Sequence, residues 1–272
     1  MTAERRVLVH HDLPALASAV AARFITKMID LLDEKPEVHV VLTGGGAGIG
    51  ILRAINESDA RDQVDWARVH IWWGDERWVA HDHADRNERQ AREALLDHVA
   101  LTPAHIHPFP APGETADLDA AADAHAAELK AAASDGTDAP VFDITFLGVG
   151  PDGHIASLFP ESDGTKVTDR SVIAVRNAPK PPPERLSLTF PAINGSDRIW
   201  LALSGADKAS ALGLGLAGAS SFEVPAAGVR GRRRTVFFVD SAASAEVPAE
   251  LISHEYQRRS VRSRRVAGSS AG

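Results

Sequence analysis

At 272 residues the chain can bury a sizeable core as one large α/β domain or two small ones, and 44% hydrophobic and 24% charged residues are ordinary for a globular protein. A formal net charge of −8 argues against general nucleic-acid binding, which needs a basic face, and no apolar run approaches the roughly 20 residues of a membrane span. With no cysteine, a disulfide framework, a thiolate nucleophile and a Cys-based zinc site are excluded; the opening "MTAERRVLVHHD" lacks a signal peptide's long apolar core, so the expected location is the cytoplasm.

Strand-like and helix-like segments alternate along the chain. "RRVLVH" near the start is the first strand expected, and Leu16, Val20, Phe24, Met28 and Leu31 follow at near-helical spacing behind Asp12, a helix-capping residue. "VHVVLT" from Val38 and "RVHIWW" from Arg68 are the next strands; helices are expected over 87–99, with Ala91, Leu95 and Val99 on one face, and over the alanine-rich 117–133. "SDGTDAP" (134–140) reads as a surface loop. "VFDITFLG", "SVIAVR", "RLSLTF", "RIWLALS" and "TVFFV" complete the strands, with a helix over 207–216 before the last. Runs rich in Val, Ile and Phe, bounded by Gly, Pro and Asp, suit strands buried on both faces. The alternation implies an α/β fold: a mostly parallel sheet with helices on both faces, plus a small β-rich subregion in which "RLSLTF" and its neighbours could form an antiparallel flap. One domain is expected over residues 1–250, followed by a basic, disordered tail at 257–272.

In open α/β sheets ligands bind beyond the carboxyl ends of the strands, so chemistry is sought after each one. "GGGAGIG" (44–50) follows the second strand. It fits neither the G-x-G-x-x-G nor the P-loop pattern, and reads either as an anion cradle at a helix N-terminus or as a tight turn. "GDERWVAHDHADRN" (74–87) follows the third, with Arg77 placed to grip a phosphate or carboxylate and Asp75 and Glu76 to orient it. His81/His83 and His105/His107 form two H-x-H pairs without a matching carboxylate set, and no metal site is expected.

"LGVGPDGHIASLFP" (147–160) contains G-x-G-x-x-G, yet Asp152 would put a carboxylate where a pyrophosphate should rest and Pro160 cuts the following helix short. No dinucleotide or other cofactor is therefore expected. The better reading is catalytic: a glycine-rich bend presents His154 to the ligand, and Asp152 fixes its tautomer. "NAPKPPPERLSLTF" holds Lys180 and Arg185 on a proline-stiffened loop suited to a doubly charged phosphate, and "SGADKASAL" offers Ser204, Gly205 and Lys208 as further contacts or a structural turn. No G-x-S-x-G elbow is present, so general-base hydrolysis or proton transfer on a sugar phosphate is favoured over acyl-enzyme chemistry.

"LTGGGAGIGIL", "IWWGDERWVAHDHADRN", "DITFLGVGPDGHIASLFP", "NAPKPPPERLSLTFPAIN" and "LALSGADKASAL" occur here in an order that resembles the 6-phosphogluconolactonase family, from about residue 5 to 245. The resemblance implies a Rossmann-like fold shared with glucosamine-6-phosphate isomerases and hydrolysis of 6-phospho-D-glucono-1,5-lactone to 6-phosphogluconate, with a small sugar-phosphate lactone as the partner and a monomer as the expected state. Carried over by motif, His154 is the general base and then acid, supported by Asp152. Arg77, Lys180 and Arg185 hold the phosphate, Gly44, Gly45 and Gly46 line the substrate, and Asp75 and Asn87 join these contacts. Two departures stand out: Ala47-Gly48-Ile49 replace a common Ser-Thr-Pro, and Arg86 stands where a serine is common. The nearest rival, an isomerase or deaminase, tends to read "DGHIAFNEP" where this chain has "DGHIASLFP"; a non-catalytic sugar-phosphate sensor would carry a helix-turn-helix module that is not seen.

Overall fold

The computed structural model describes residues 4–134 and 136–252. Its centre is a six-stranded, wholly parallel sheet in the order β1-β9-β8-β5-β2-β3, formed by Glu4–His10 (β1), Val38–Leu42 (β2), Val69–Trp73 (β3), Ile144–Gly148 (β5), Arg198–Leu203 (β8) and Arg234–Asp240 (β9). The apolar runs become strands because both sheet faces are covered, and residues of either parity are buried. Helix α1 (Leu13–Glu34) is capped by the Asp12 carboxylate, which accepts from the Ala15 N–H at 2.9 Å, and it buries the predicted stripe from Leu16 to Leu31.

Helix α1 packs on α2 (Gly45–Asn56) and covers the face that carries Phe146, Trp200 and Phe238. Helix α4 (Leu118–Ala132), capped by Asp117, lies on the opposite face, where its His125 meets Trp72 edge-on. Helix α6 (Ala209–Ala217) joins β8 to β9, and its Gly215 carbonyl accepts from Arg5 on β1. No helix among the described residues is long and apolar enough to cross a membrane.

A second, three-stranded sheet holds β4 (Asp75–Arg77), β7 (Arg185–Leu188) and β6 (Val172–Val175) in antiparallel order β4-β7-β6, the expected flap. Strand β4 is the one the sequence hides: three charged residues carry no apolar alternation. Helix α3 (Asn87–Ala94) ends five residues short of the expected Val99, because Leu95 leaves helical geometry (φ −149°, ψ −48°) and a 3₁₀ turn follows. Phe190 belongs to a short helix, α5 (Phe190–Asn194), rather than to its strand, and the short helix α7 (Ser241–Ser244) follows β9. The expected tail at 257–272 lies outside the described residues.

Candidate active site

The carboxyl ends of β2, β5 and β8 open into one cavity of about 340 Å³, closed at the side by the flap. Its floor is the start of α2: Gly44 caps the helix and residues 44 to 48 all line the space. The glycine run is thus the first turn itself, and its free N–H groups and dipole face the cavity. Gly45 has φ +79°, a left-handed conformation that side chains resist, and a Cβ on Gly44 would fall 1.9 Å from Asn87 Oδ1. The anion-cradle reading fits this geometry better than a purely structural turn.

His154 stands on the cavity wall with Asp152 behind it. The Nδ1–H donates to Asp152 Oδ1 at 2.5 Å, which leaves Nε2 as the unprotonated nitrogen. Burial on its own would push the Asp152 carboxyl up, but the hydrogen bond and charge of His154 outweigh it and hold it down at about 2. Asp152 is an anion at neutral pH and fixes the imidazole tautomer. The bend is pinned by Gly150 N–H to the His154 carbonyl (2.9 Å) and Gly153 N–H to the Gly150 carbonyl (3.0 Å), and Gly153 has φ +83°. Phe159 packs against the ring at 4.8 Å between centroids.

The flap supplies the cations. Arg77 on β4 and Arg185 on β7 are register partners, and both line the cavity. Directly opposed residues have Cβ atoms about 5 Å apart, and a like-charged pair at that spacing is unfavourable without an anion between them. Asp75 offsets it in part: its Oδ2 lies 4.0 Å from Arg185 Nη1 and also accepts from Ser157 Oγ at 2.7 Å. Arg77 Nη1 donates to Asn87 Oδ1 (2.8 Å) and the Asp85 carbonyl (2.7 Å), and Asn87 Nδ2 to the Asp75 carbonyl (2.9 Å). These bonds aim Arg77 and leave its buried Nε without a hydrogen-bond partner.

These sequence-predicted residues line the cavity: Gly44, Gly45, Gly46, Asp75, Arg77, Asn87, His154, Arg185, Ser204 and Lys208, with Asp152 just behind. Lys180 does not. It is exposed, and its carbonyl accepts from Arg185 Nη2 at 2.9 Å as the guanidinium turns onto the carbonyls of its own loop. The lysine that lines the cavity is Lys208, beside Ser204.

Thr43 escaped the sequence, whereas Glu76, expected to orient Arg77, does so through the backbone. Thr43 lines the cavity and accepts from Gly148 N–H (3.2 Å), and Glu76, facing away from the cavity on β4, accepts the N–H groups of Arg77 (2.8 Å), Asn87 (2.7 Å) and Glu88 (2.8 Å). Burial pushes the Glu76 carboxyl up to about 7 against the opposing pull of Arg86 and those N–H groups. Arg86, which stands where the family commonly has a serine, is fully buried: Glu88 and the Val79 carbonyl satisfy it at 2.9 and 3.1 Å. Of the H-x-H pairs, His81 is held between Glu88 and Glu114, and His105 and His107 sit far from the cavity at the edge of β3.

Comparison with known proteins points the same way. The family model for glucosamine-6-phosphate isomerases/6-phosphogluconolactonase matches residues 11–238. A 6-phosphogluconolactonase of Streptomyces coelicolor is 47% identical over 250 residues, covering 90% of this chain and 96% of that one. The crystal structure of 6-phosphogluconolactonase from Thermotoga maritima superposes with a TM-score of 0.76 at 28% identity, over 87% of this chain and 100% of that one. A monomeric glucosamine-6-phosphate deaminase shares the fold at 22% identity and a TM-score of 0.72. The fold therefore does not separate lactonase from deaminase.

Proposed function

The chain belongs to the glucosamine-6-phosphate isomerase/6-phosphogluconolactonase family, and on that premise we infer that it hydrolyses 6-phospho-D-glucono-1,5-lactone to 6-phosphogluconate, the lactone step of the oxidative pentose phosphate pathway. The observation that carries the reading is the His154–Asp152 pair on the wall of a cavity whose other walls are a helix N-terminus and two opposed arginines.

The chemistry follows from those positions. Asp152 holds the Nδ1 proton, so Nε2 of His154 takes a proton from water as the oxygen attacks the lactone C1. The carbonyl becomes a tetrahedral oxyanion, for which the N–H groups of the glycine segments are the available donors. The imidazolium returns its proton to the ring oxygen as the C1–O bond breaks, giving the open-chain acid, which ionises. General acid–base work of this kind is worth about 10²–10⁴ in rate. Arg77, Arg185 and Lys208 attract the phosphate, and that remote binding orients the reacting carbon. Ser157, Leu158 and Phe159 support the lactonase over the deaminase reading. Ser157 anchors Asp75, Leu158 is fully buried and Phe159 supports the histidine, so no acid follows His154 here to move a second proton. The expected place of this reaction is the cytoplasm.

The test is a coupled assay with the lactone and, separately, with glucosamine 6-phosphate. His154→Ala should lower lactone turnover by about 10²-fold or more while 6-phosphogluconate still binds. Unchanged turnover overturns the role of His154, and turnover of the amino sugar alone overturns the lactonase reading.

A further inference from the structure

At the opposite end of the sheet, five histidines gather on the α4 face. His39 on β2 and His70 on β3 stack at 4.5 Å, and His105 stacks on the other side of His70 at 3.9 Å. His105 arrives because residues 103–107 run along the edge of β3: Ile106 bridges Ile71, and His107 N–H donates to the Ile71 carbonyl at 2.9 Å. His107 stacks on Trp72 at 3.8 Å, and His125 of α4 lies beside them. Asp75 lies five residues along the chain from His70, about 17 Å at the usual rise of extended chain. None of these rings lines the catalytic cavity.

The hydrogen-bond chain fixes the protons. Burial alone would raise the Glu128 carboxyl, but its bonds to His107 and His125 outweigh burial and hold it at about 2, so it is an anion and accepts the Nδ1 proton of His107 at 2.7 Å. The Nε2 of His107 is then an acceptor, and takes the Nδ1 proton of His70 at 2.9 Å. That leaves Nε2 of His70 with a bare lone pair, buried and without a hydrogen bond, facing Glu37 Oε2 at 3.4 Å. Nδ1 of His105 is likewise buried without a hydrogen-bond partner, and the ligand atoms of Glu37, His70 and His105 all lie within 4.8 Å of one another.

We propose that Glu37, His70 and His105 form a divalent transition-metal site, of the zinc class, separate from the catalytic cavity. Two imidazoles and a carboxylate suit Zn²⁺, and ligands about 2.0–2.1 Å from a tetrahedral ion lie about 3.4 Å apart, the separation already present between Glu37 and His70. His105 completes the set by turning its ring out of the stack. Glu128 and His107 play the outer part, orienting His70 through its other nitrogen. The ion ties the 103–107 segment to the ends of β2 and β3, so its effect falls on stability. The H-x-H pattern of the sequence offered His105 and His107 together, but the structure divides them, one as ligand and one as support.

The experiment uses tag-free, full-length protein and titrates Zn²⁺ by calorimetry, with Co²⁺ as a visible-absorption reporter of tetrahedral ligation. One ion per chain is expected, with a raised melting temperature and unchanged lactone turnover. His105→Asn and Glu37→Gln should each weaken binding at least tenfold and keep turnover. Binding should survive in His154→Ala and in the His81→Ala/His83→Ala double variant. Absence of stoichiometric binding, or binding that is indifferent to His105→Asn, overturns the site. A loss of binding in His154→Ala alone moves the ion to the catalytic cavity and refutes it as well.

Discussion

Gly150→Ala tests the geometry of the dyad more sharply than removal of the histidine does. A Cβ on Gly150 would fall 2.0 Å from His154 Nδ1, 2.2 Å from Cε1 and 2.4 Å from Asp152 Oδ1. An ordinary contact there is about 3.4 Å, so the ring and the carboxylate must retreat by about 1.4 Å. Gly150 is not in the left-handed region, so the backbone itself accepts alanine and the penalty falls on the two side chains. A displacement of about 1 Å in a catalytic group costs about 10²-fold in rate, or about 2.7 kcal/mol of transition-state stabilisation. The expected result in the coupled lactone assay is a kcat lowered about 10²-fold with KM within about threefold, since the arginines do not move. In the His154→Ala background the same substitution should add less than about twofold, because the group it displaces is gone. Near-wild-type kcat in a folded Gly150→Ala protein, or an equal further loss in the histidine-free background, would refute the reasoning.

Two other outcomes follow from the site. Lys208→Ala should raise KM for the lactone about tenfold with little change in kcat, while Lys180→Ala should leave KM within about twofold; steady-state kinetics showing the reverse order would return the phosphate to Lys180. Glu76, raised from the ordinary 4.5 to about 7, keeps a proton in the folded state that the unfolded chain loses across that interval. Its stabilising contribution is therefore full below about pH 4.5 and fades as the pH climbs through 7, opposite in sign to that of Asp152, whose contribution is lost as the pH falls from 3.8 toward 2. Glu76→Gln, which turns an amide donor toward one of the N–H groups Glu76 accepts, should cost about 1–3 kcal/mol, and more at pH 5 than at pH 8 in urea unfolding; an equal cost at both would show that Glu76 titrates normally.

The parts that were legible in the sequence are those decided locally. Strands buried on both faces announce themselves as Val/Ile/Phe runs, and Asp12 and Asp117 cap the helices they precede. The bend from Gly148 to His154 is likewise a local object, since its glycines, its carboxylate and its histidine lie within seven residues. What stayed hidden was decided across the chain. Arg86 looks like loop charge because the groups that satisfy it include the Val79 and Phe109 carbonyls and Glu88, which only folding brings around it. Lys180 and Arg185 look equivalent on a stiff loop, yet Arg185 turns onto the loop's own carbonyls and leaves the lysine outside.

The same distinction explains why the cations that line the cavity are harder to read from the sequence than the histidine. A general base needs one partner at a fixed distance, and two residues of sequence spacing suffice to supply it. An anion site needs positive groups from several directions, which here means pairing Arg77 with Arg185 across a ladder whose first strand has no sequence signature at all. The ladder register, set by Asp75 opposite Ser187, does the assembling; Ser157 then holds Asp75 from the segment that carries the histidine. The chain Arg185–Asp75–Ser157 therefore ties the flap to the bend that carries His154, and a change in "SLFP" would disturb both at once.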